Sequence, residues 1–145
     1  MKRKSEVRII TNYLHKETQG AGDLIDLTPD LHRLFEKAEM LEGTATVFNI
    51  GSTAAITTFE FENGLIQDMR ELYEKLAPSD RPYHHDATWH DDNGFSHVRA
   101  ALQGPSLSIP FAEGKLLLGT WQQVVLAEFD NRPRKRKIVV QFLGC

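Results

Sequence analysis

Residues 83–102, YHHDATWHDDNGFSHVRAAL, gather four of the chain's six histidines (His84, His85, His90, His97) with Asp86, Asp91, Asp92, Asn93 and Arg99. No other stretch is so dense in groups that titrate, hold a metal or grip phosphate. Imidazole titrates near neutrality and is a common metal ligand. Carboxylate and amide oxygens suit Mg²⁺-like cations, and Arg99 can hold a phosphate through two parallel hydrogen bonds. The same composition also describes a polar loop facing water. His85 and His97 are each candidates for acid, base or metal ligand, and spacing alone does not choose among these roles.

Three further segments carry possible chemistry. Residues 131–137, NRPRKRK, form the one strongly basic run, read as a solvated turn or as a funnel for anions. Gly104-Pro105-Ser106 and Gly51-Ser52-Thr53 are small turns able to offer backbone N–H groups to phosphate. There is no phosphate-binding glycine loop, no dinucleotide fingerprint and no H-E-x-x-H. The single cysteine, Cys145, excludes an internal disulfide and a cysteine zinc site.

Periodicity predicts the elements that position these groups. Residues 5–12 and 23–27 read as strands, and Thr28-Pro29 opens a helix with Leu31, Leu34, Phe35, Ala38 and Leu41 on one face, Thr28 as its cap and Gly43 as its stop. Residues 44–50 and 54–61 are β-rich segments joined by Gly51-Ser52-Thr53 and predict a hairpin. A second helix starts near Gly64, with Leu65, Met69, Leu72, Tyr73 and Leu76 on one face, and ends before Pro78. Strands follow at 107–111, 116–118, 120–129 and 137–143. Ile138-Val139-Val140 shows no alternation, which predicts a strand covered on both faces. In the strand 120–129, Trp121, Val125, Ala127 and Phe129 share one face and predict core. The opposite face carries Gln122, Val124, Leu126 and Glu128. Gln122 and Glu128 then stand roughly 20 Å apart, too far to meet one small ligand within one chain. The order ββαββα followed by a run of strands predicts one α+β domain over residues 1–145, with mainly antiparallel sheet and two covering helices.

The 145 residues include 41% hydrophobic and 26% charged side chains, ordinary globular usage, and a net charge of −3 gives no pull toward nucleic acid or an anionic membrane. The basic start MKRK leads into no sustained apolar run, and no window is apolar enough to span a bilayer. A soluble cytoplasmic protein is expected.

Several segments at their mutual spacing resemble one family. They are Asp92-Asn93-Gly94, Ser96-His97-Val98-Arg99-Ala100, Gly104-Pro105-Ser106-Leu107, Leu116-Leu117-Leu118-Gly119-Thr120-Trp121-Gln122 and Asn131-Arg132-Pro133-Arg134, with Gly51-Ser52-Thr53-Ala54-Ala55-Ile56-Thr57 upstream. Together they resemble the YjbQ-like secondary thiamine-phosphate synthases over nearly the whole chain. The resemblance implies a β-sandwich that associates as a homotrimer. The Gln122–Glu128 face of the strand 120–129, left to be covered by neighbouring subunits, would put the sites at or near the subunit boundaries. The resemblance also implies an activity joining a pyrimidine pyrophosphate to a thiazole phosphate with release of pyrophosphate, secondary to some other role. Carried onto this chain, the catalytic residues are His85, His97, Arg99 and Gln122. Asn93, Ser106 and Arg99 bind substrate, and His85, His97 and Asp92 are ligands for a divalent metal, Mg or Zn. Phe95 and Gly51 stand where many members have histidine. A metal-dependent hydrolase, or a trimeric protein that binds a phosphorylated metabolite without turnover, draws on the same residues.

Overall fold

Every second residue from Arg136 to Gly144 is buried, the period-2 signature of a strand with one face on a core. In the computed structural model, which describes residues 6–145, this is β8 (Lys135–Gly144). It pairs antiparallel with β1 (Arg8–Glu17) on one side and β3 (Gly43–Asn49) on the other. β3 continues to β5 (Ser106–Ala112), and β5 to the short β6 (Lys115–Leu116), giving a five-stranded sheet ordered β1-β8-β3-β5-β6. A second antiparallel sheet is ordered β2-β7-β4, from β2 (Leu24–Asp26), β7 (Gln123–Glu128) and β4 (Ala54–Phe59).

The two sheets share one core. Val47, Ile109, Ile138, Val140 and Phe142 meet Ile56, Val124 and Leu126, and α1 (Thr28–Ala38) adds Leu31 and Phe35. The Phe35 ring stands 4.9 Å from Phe111 and 5.6 Å from Phe142. The other face of β7 carries a second core, where Val125, Ala127 and Phe129 pack with Tyr73 of α2 (Asn63–Leu76) and Ala100 of α4 (Gly94–Gln103). Between these helices lies the six-residue α3 (His84–Trp89). The architecture is therefore mixed α+β with antiparallel sheets. It is not a closed sandwich, and among the described residues it has four helices where the sequence pattern predicts two covering ones.

The differences have physical reasons. Residues 44–50 and 54–61 do not form a hairpin: β3 is paired on both edges by β8 and β5, so β4 crosses to the other sheet and pairs with β7. Thr28 does not cap α1, because its hydroxyl accepts a hydrogen bond from the Val124 N–H, 2.8 Å away. α1 ends at Ala38 with Glu39 in the left-handed region, well before Gly43. Gly43, at φ 151°, lies so close to the Leu143 carbonyl and Gly144 that a side chain there would collide with backbone. β1 runs on to Glu17 because β8 offers partners as far as Lys135, while Ser5, expected to open it, lies outside the described residues. Val139 is half-buried and Leu143 is exposed, so β8 is covered on one face, not two.

Trp121 is the main correction. It is 70% exposed, because β7 begins only at Gln123 and the preceding turn carries the indole out of the sheet. Val124, Leu126 and Glu128, whose face the sequence pattern left uncovered, are fully buried within the chain itself. Trp121→Ala is expected to leave the melting temperature near that of the parent, within about 0.5 kcal/mol as for most surface changes. Phe129→Ala, which empties a site where the ring meets Tyr73 edge-to-face at 4.6 Å, is expected to cost about 3–5 kcal/mol. Thermal melts of the two variants check the pair.

Candidate functional site

Arg136 and Glu128 both point inward, in phase with the apolar residues of their strands, and are 7% and 0% exposed. Buried charges are tolerable only when paired and hydrogen-bonded. Arg136 accordingly forks onto Glu128, donating from Nε to Oε2 at 2.7 Å and from Nη2 to Oε1 at 2.5 Å. Nη2 also reaches the Thr53 hydroxyl at 2.7 Å, and the Thr18 hydroxyl donates to Glu128 at 2.8 Å. A second pair sits beside the first. Asp130, also fully buried, accepts from Thr53 Oγ1 at 2.9 Å, Arg134 Nε at 2.7 Å and the Asn131 N–H at 2.8 Å. Burial alone raises the Asp130 pKa, but the bonds from Thr53, Arg134 and Asn131 outweigh it and hold the group below its ordinary value.

Each guanidinium is thus gripped along its Nε edge by a buried carboxylate, and both line a common cleft of about 410 Å³. One wall is the crossing from β3 to β4. There the buried Asn49 amide donates to the Gly51 and Ala54 carbonyls, and Gly51 adopts φ 156°. A Cβ at position 51 would stand 3.1 Å from Arg136 Nη1, so glycine leaves the guanidinium its room. The opposite wall is α3 and the start of α4. Asp86 staples the two helices, accepting from the Tyr83 N–H at 3.0 Å and the Gly94 N–H at 2.9 Å. The turn between them uses left-handed residues at His90 and Asp92, and Asn131 Nδ2 ties it to the β7–β8 connection through the Asp91 carbonyl at 2.7 Å.

This wall brings the His85 and His97 rings to 4.3 Å between centroids, with Asp91 Oδ1 3.8 Å from His85 Nε2. Among the described residues, His85 Nε2 and Asn93 Oδ1 are buried without a hydrogen-bond partner. Partial burial, and then the neighbouring His85, push the His97 pKa below its ordinary value, against the opposing pull of Asp130 and Asp91. His97 is therefore suited to be a neutral proton acceptor near pH 7.

Of the residues singled out in the sequence, His85, His97 and Asn93 line this cleft, and Asp92, Arg99, Ser106 and Gln122 do not. Arg99 is 4% exposed and donates to the Ala77 carbonyl at 2.9 Å and to Glu74 at 2.6 Å, locking α4 to the end of α2. Gln122 Oε1 accepts from the Gly119 N–H at 3.0 Å in an exposed turn. Ser106 is exposed at the start of β5, opposite Phe48. Gly104-Pro105-Ser106 is not shaped as an anion cradle: the Gly104 N–H closes α4 on the Ala100 carbonyl, and proline has no N–H to give. Asp91, not Asp92, faces the cleft. Among the described residues, no three His, Cys, Asp or Glu side chains are gathered closely enough to hold a metal ion. The expected set of His85, His97 and Asp92 does not fit one as it stands, since Asp92 is turned from the imidazole pair's cleft.

Sequence reading passed over Glu128, Asp130 and Arg136 as a joined network, and over Trp89. Strand parity was the usable signal, since Glu128 and Arg136 each fall in phase with buried neighbours. A larger cleft of about 550 Å³ lies between α1 and the β5–β6 turn. Its floor of Phe35, Met40 and Leu116 is rimmed by His32, Glu36, Glu39 and Lys115, charges of both signs with no hydrogen-bonded frame to aim them. The smaller cleft concentrates the chemistry.

Comparison with known proteins agrees with the motifs. A family model described as "UPF0047 protein YjbQ-like" matches residues 12–145. A UPF0047 protein of Archaeoglobus fulgidus is 38% identical over 127 residues, covering 88% of this chain and 96% of that protein. One from Methanothermobacter thermautotrophicus is 36% identical over 138 residues, covering 95% and 94%. The crystal structure of a YbjQ-like protein of unknown function from Sulfolobus solfataricus superposes with a TM-score of 0.91 at 30% identity, covering 97% of this chain and all (100%) of that one.

Two outcomes follow from the geometry. Glu128→Ala strands a buried guanidinium and is expected to destabilise the protein by about 3–5 kcal/mol in denaturant melts. The imidazole of His97 is expected to titrate below the ordinary imidazole value in an NMR pH series. Since folding favours its neutral form, the associated stability is full above the ordinary imidazole value and is lost as pH falls through the lower native one. His97→Gln is expected to flatten that acid slope.

Proposed function

The chain belongs to the YjbQ-like UPF0047 family, and we propose on that premise that its cleft binds a phosphorylated small molecule and serves a thiamine-phosphate synthase-like transfer. In that reaction a pyrimidine pyrophosphate and a thiazole phosphate are joined and pyrophosphate is released, as an activity secondary to another role. The observation that carries this reading is the pair of guanidinium groups, Arg134 and Arg136, pinned by buried Asp130 and Glu128 beside two imidazoles. Departing pyrophosphate concentrates negative charge, and charge-assisted bonds from preoriented arginines neutralise it without reorganisation. The thiazole nitrogen forms the new carbon–nitrogen bond as the carbon–oxygen bond to pyrophosphate breaks, and His97, biased toward its neutral form, lines the cleft as a hydrogen-bond partner. The two guanidinium groups supply the charge neutralisation that a divalent metal would otherwise bring. Hydrolysis of a phosphorylated metabolite, or binding without turnover, would use the same cleft.

We place this activity in a cytoplasmic homotrimer. The support is the outer face of the five-stranded sheet, where Ile9 (66% exposed), Tyr13 (51%), Phe48 (40%) and Leu143 (49%) form two cross-strand rows. An apolar face of that extent favours association. Gln122 and Ser106, away from the cleft of their own chain, would reach a site only across a subunit boundary.

Incubating the protein with the two phosphorylated precursors is expected to release pyrophosphate together with a coupled product. Arg134→Ala and Arg136→Ala are each expected to lower kcat/KM by about 100-fold or more, the scale for losing a transition-state donor. Phosphate release with solvent oxygen incorporated, and no coupled product, would replace transfer with hydrolysis. Light scattering is expected to give three times the 16.5 kDa chain mass; a monomer mass would refute the trimer.

A further inference from the structure

Trp89 belongs to neither of the two hydrophobic cores. It is 71% exposed, yet its side chain lines the cleft that holds Arg134 and Arg136. None of the residues of α3 is buried, so this helix is not held by an apolar face. Its ends are held by polar ties instead, the Asp86 staple and the Asn131 bond to the Asp91 carbonyl. An indole left bare on a helix fixed this way costs hydration free energy that nothing in the chain returns.

We infer that Trp89 is the stacking platform of the cleft, and that the preferred ligand is a phosphate ester of a planar aromatic ring, its phosphate on Arg134 and Arg136 and its ring on the indole. The cleft's volume of about 410 Å³ accommodates a molecule of that class. The charge on the arginines selects the anionic end, and the flat π-face of tryptophan selects a ring over an alkyl chain. The inference rests on the cleft being an anion site and adds the residue that sets specificity there.

The test uses the full chain carrying Trp121→Phe, which leaves Trp89 as the sole tryptophan. The probes are inorganic phosphate, ethyl phosphate and phenyl phosphate, followed by calorimetry and by tryptophan emission. Phenyl phosphate is expected to change Trp89 emission and to bind up to about tenfold more tightly than ethyl phosphate, the range of an aromatic pair. Trp89→Ala is expected to abolish that preference while leaving the inorganic phosphate affinity within about twofold, since the arginines are untouched. Trp89→Phe is expected to keep part of the preference. Equal affinities for the phenyl and ethyl esters, or a preference that survives Trp89→Ala, would overturn the platform while the anion site stands. A Trp89→Ala variant that loses subunit association and keeps its ring preference would assign the indole to an interface and equally overturn it. Failure of all three phosphates to bind would overturn the anion site as well.

Discussion

Glu128 and Arg136 form a charge pair almost wholly removed from water, and the arrangement of the cleft depends on it. Such a pair adds little net stability over an apolar substitute, because desolvation offsets attraction. Its contribution is geometric. The fork accepts Thr18 from the end of β1 and reaches Thr53 before β4, so four distant segments meet at one point. Thr53 passes the order on to Asp130, and Asp130 to Arg134. Removing one charge leaves the other buried without a partner, which is why the network holds or fails as a unit.

The cleft therefore has one wall that is rigid and basic and another that is lightly anchored. The basic wall is continuous with both sheets. On the other wall His85 and Trp89 ride on a short helix with no buried residue, tied by Asp86 and Asn131, while His97 stands on α4, which buries Phe95, Arg99 and Ala100. A low density of buried contacts marks segments that open at small free-energy cost. Groups that bind charge thus sit on the firm side together with His97, while His85 and the exposed indole sit on the part able to adjust.

Arg99 illustrates how the same residue type divides between tasks. Its Nε and Nη2 are engaged by the Ala77 carbonyl and Glu74, and its guanidinium lies 4.8 Å over the Phe95 ring. These bonds fasten α4 to α2 and so hold the floor under His97, two residues away on α4 and therefore facing the other way. Arg134 and Arg136 also satisfy one edge internally, yet both reach the cleft. Position relative to the sheet, not residue chemistry, separates the structural arginine from the two that face a ligand.

Local pattern determined a good deal. The apolar stripe of α1 as far as Ala38, the start of α2 near Gly64, the β5–β6 hairpin and the density of histidines in residues 83–102 all follow from nearest-neighbour chemistry. Leu41, read as part of that stripe, lies beyond the helix and is exposed. The family motifs were equally legible, since they are strings of adjacent residues. What the sequence pattern misjudged depended on partners far along the chain. Gly51-Ser52-Thr53 reads as a hairpin turn until β8 and β5 occupy both edges of β3 and send β4 to the other sheet. Trp121 reads as core until the start of β7 is settled by pairing with β4 and β2. Asp91 and Asp92 are indistinguishable in sequence, and the left-handed turn at His90 and Asp92 decides which carboxylate faces the imidazoles. The phase of Glu128 and Arg136 carried the message that both are buried, but a strand's parity does not say which opposite charge it will meet. Only the tertiary fold made that choice, because pairing across a core is set by sheet order and register, and these are properties of the whole chain.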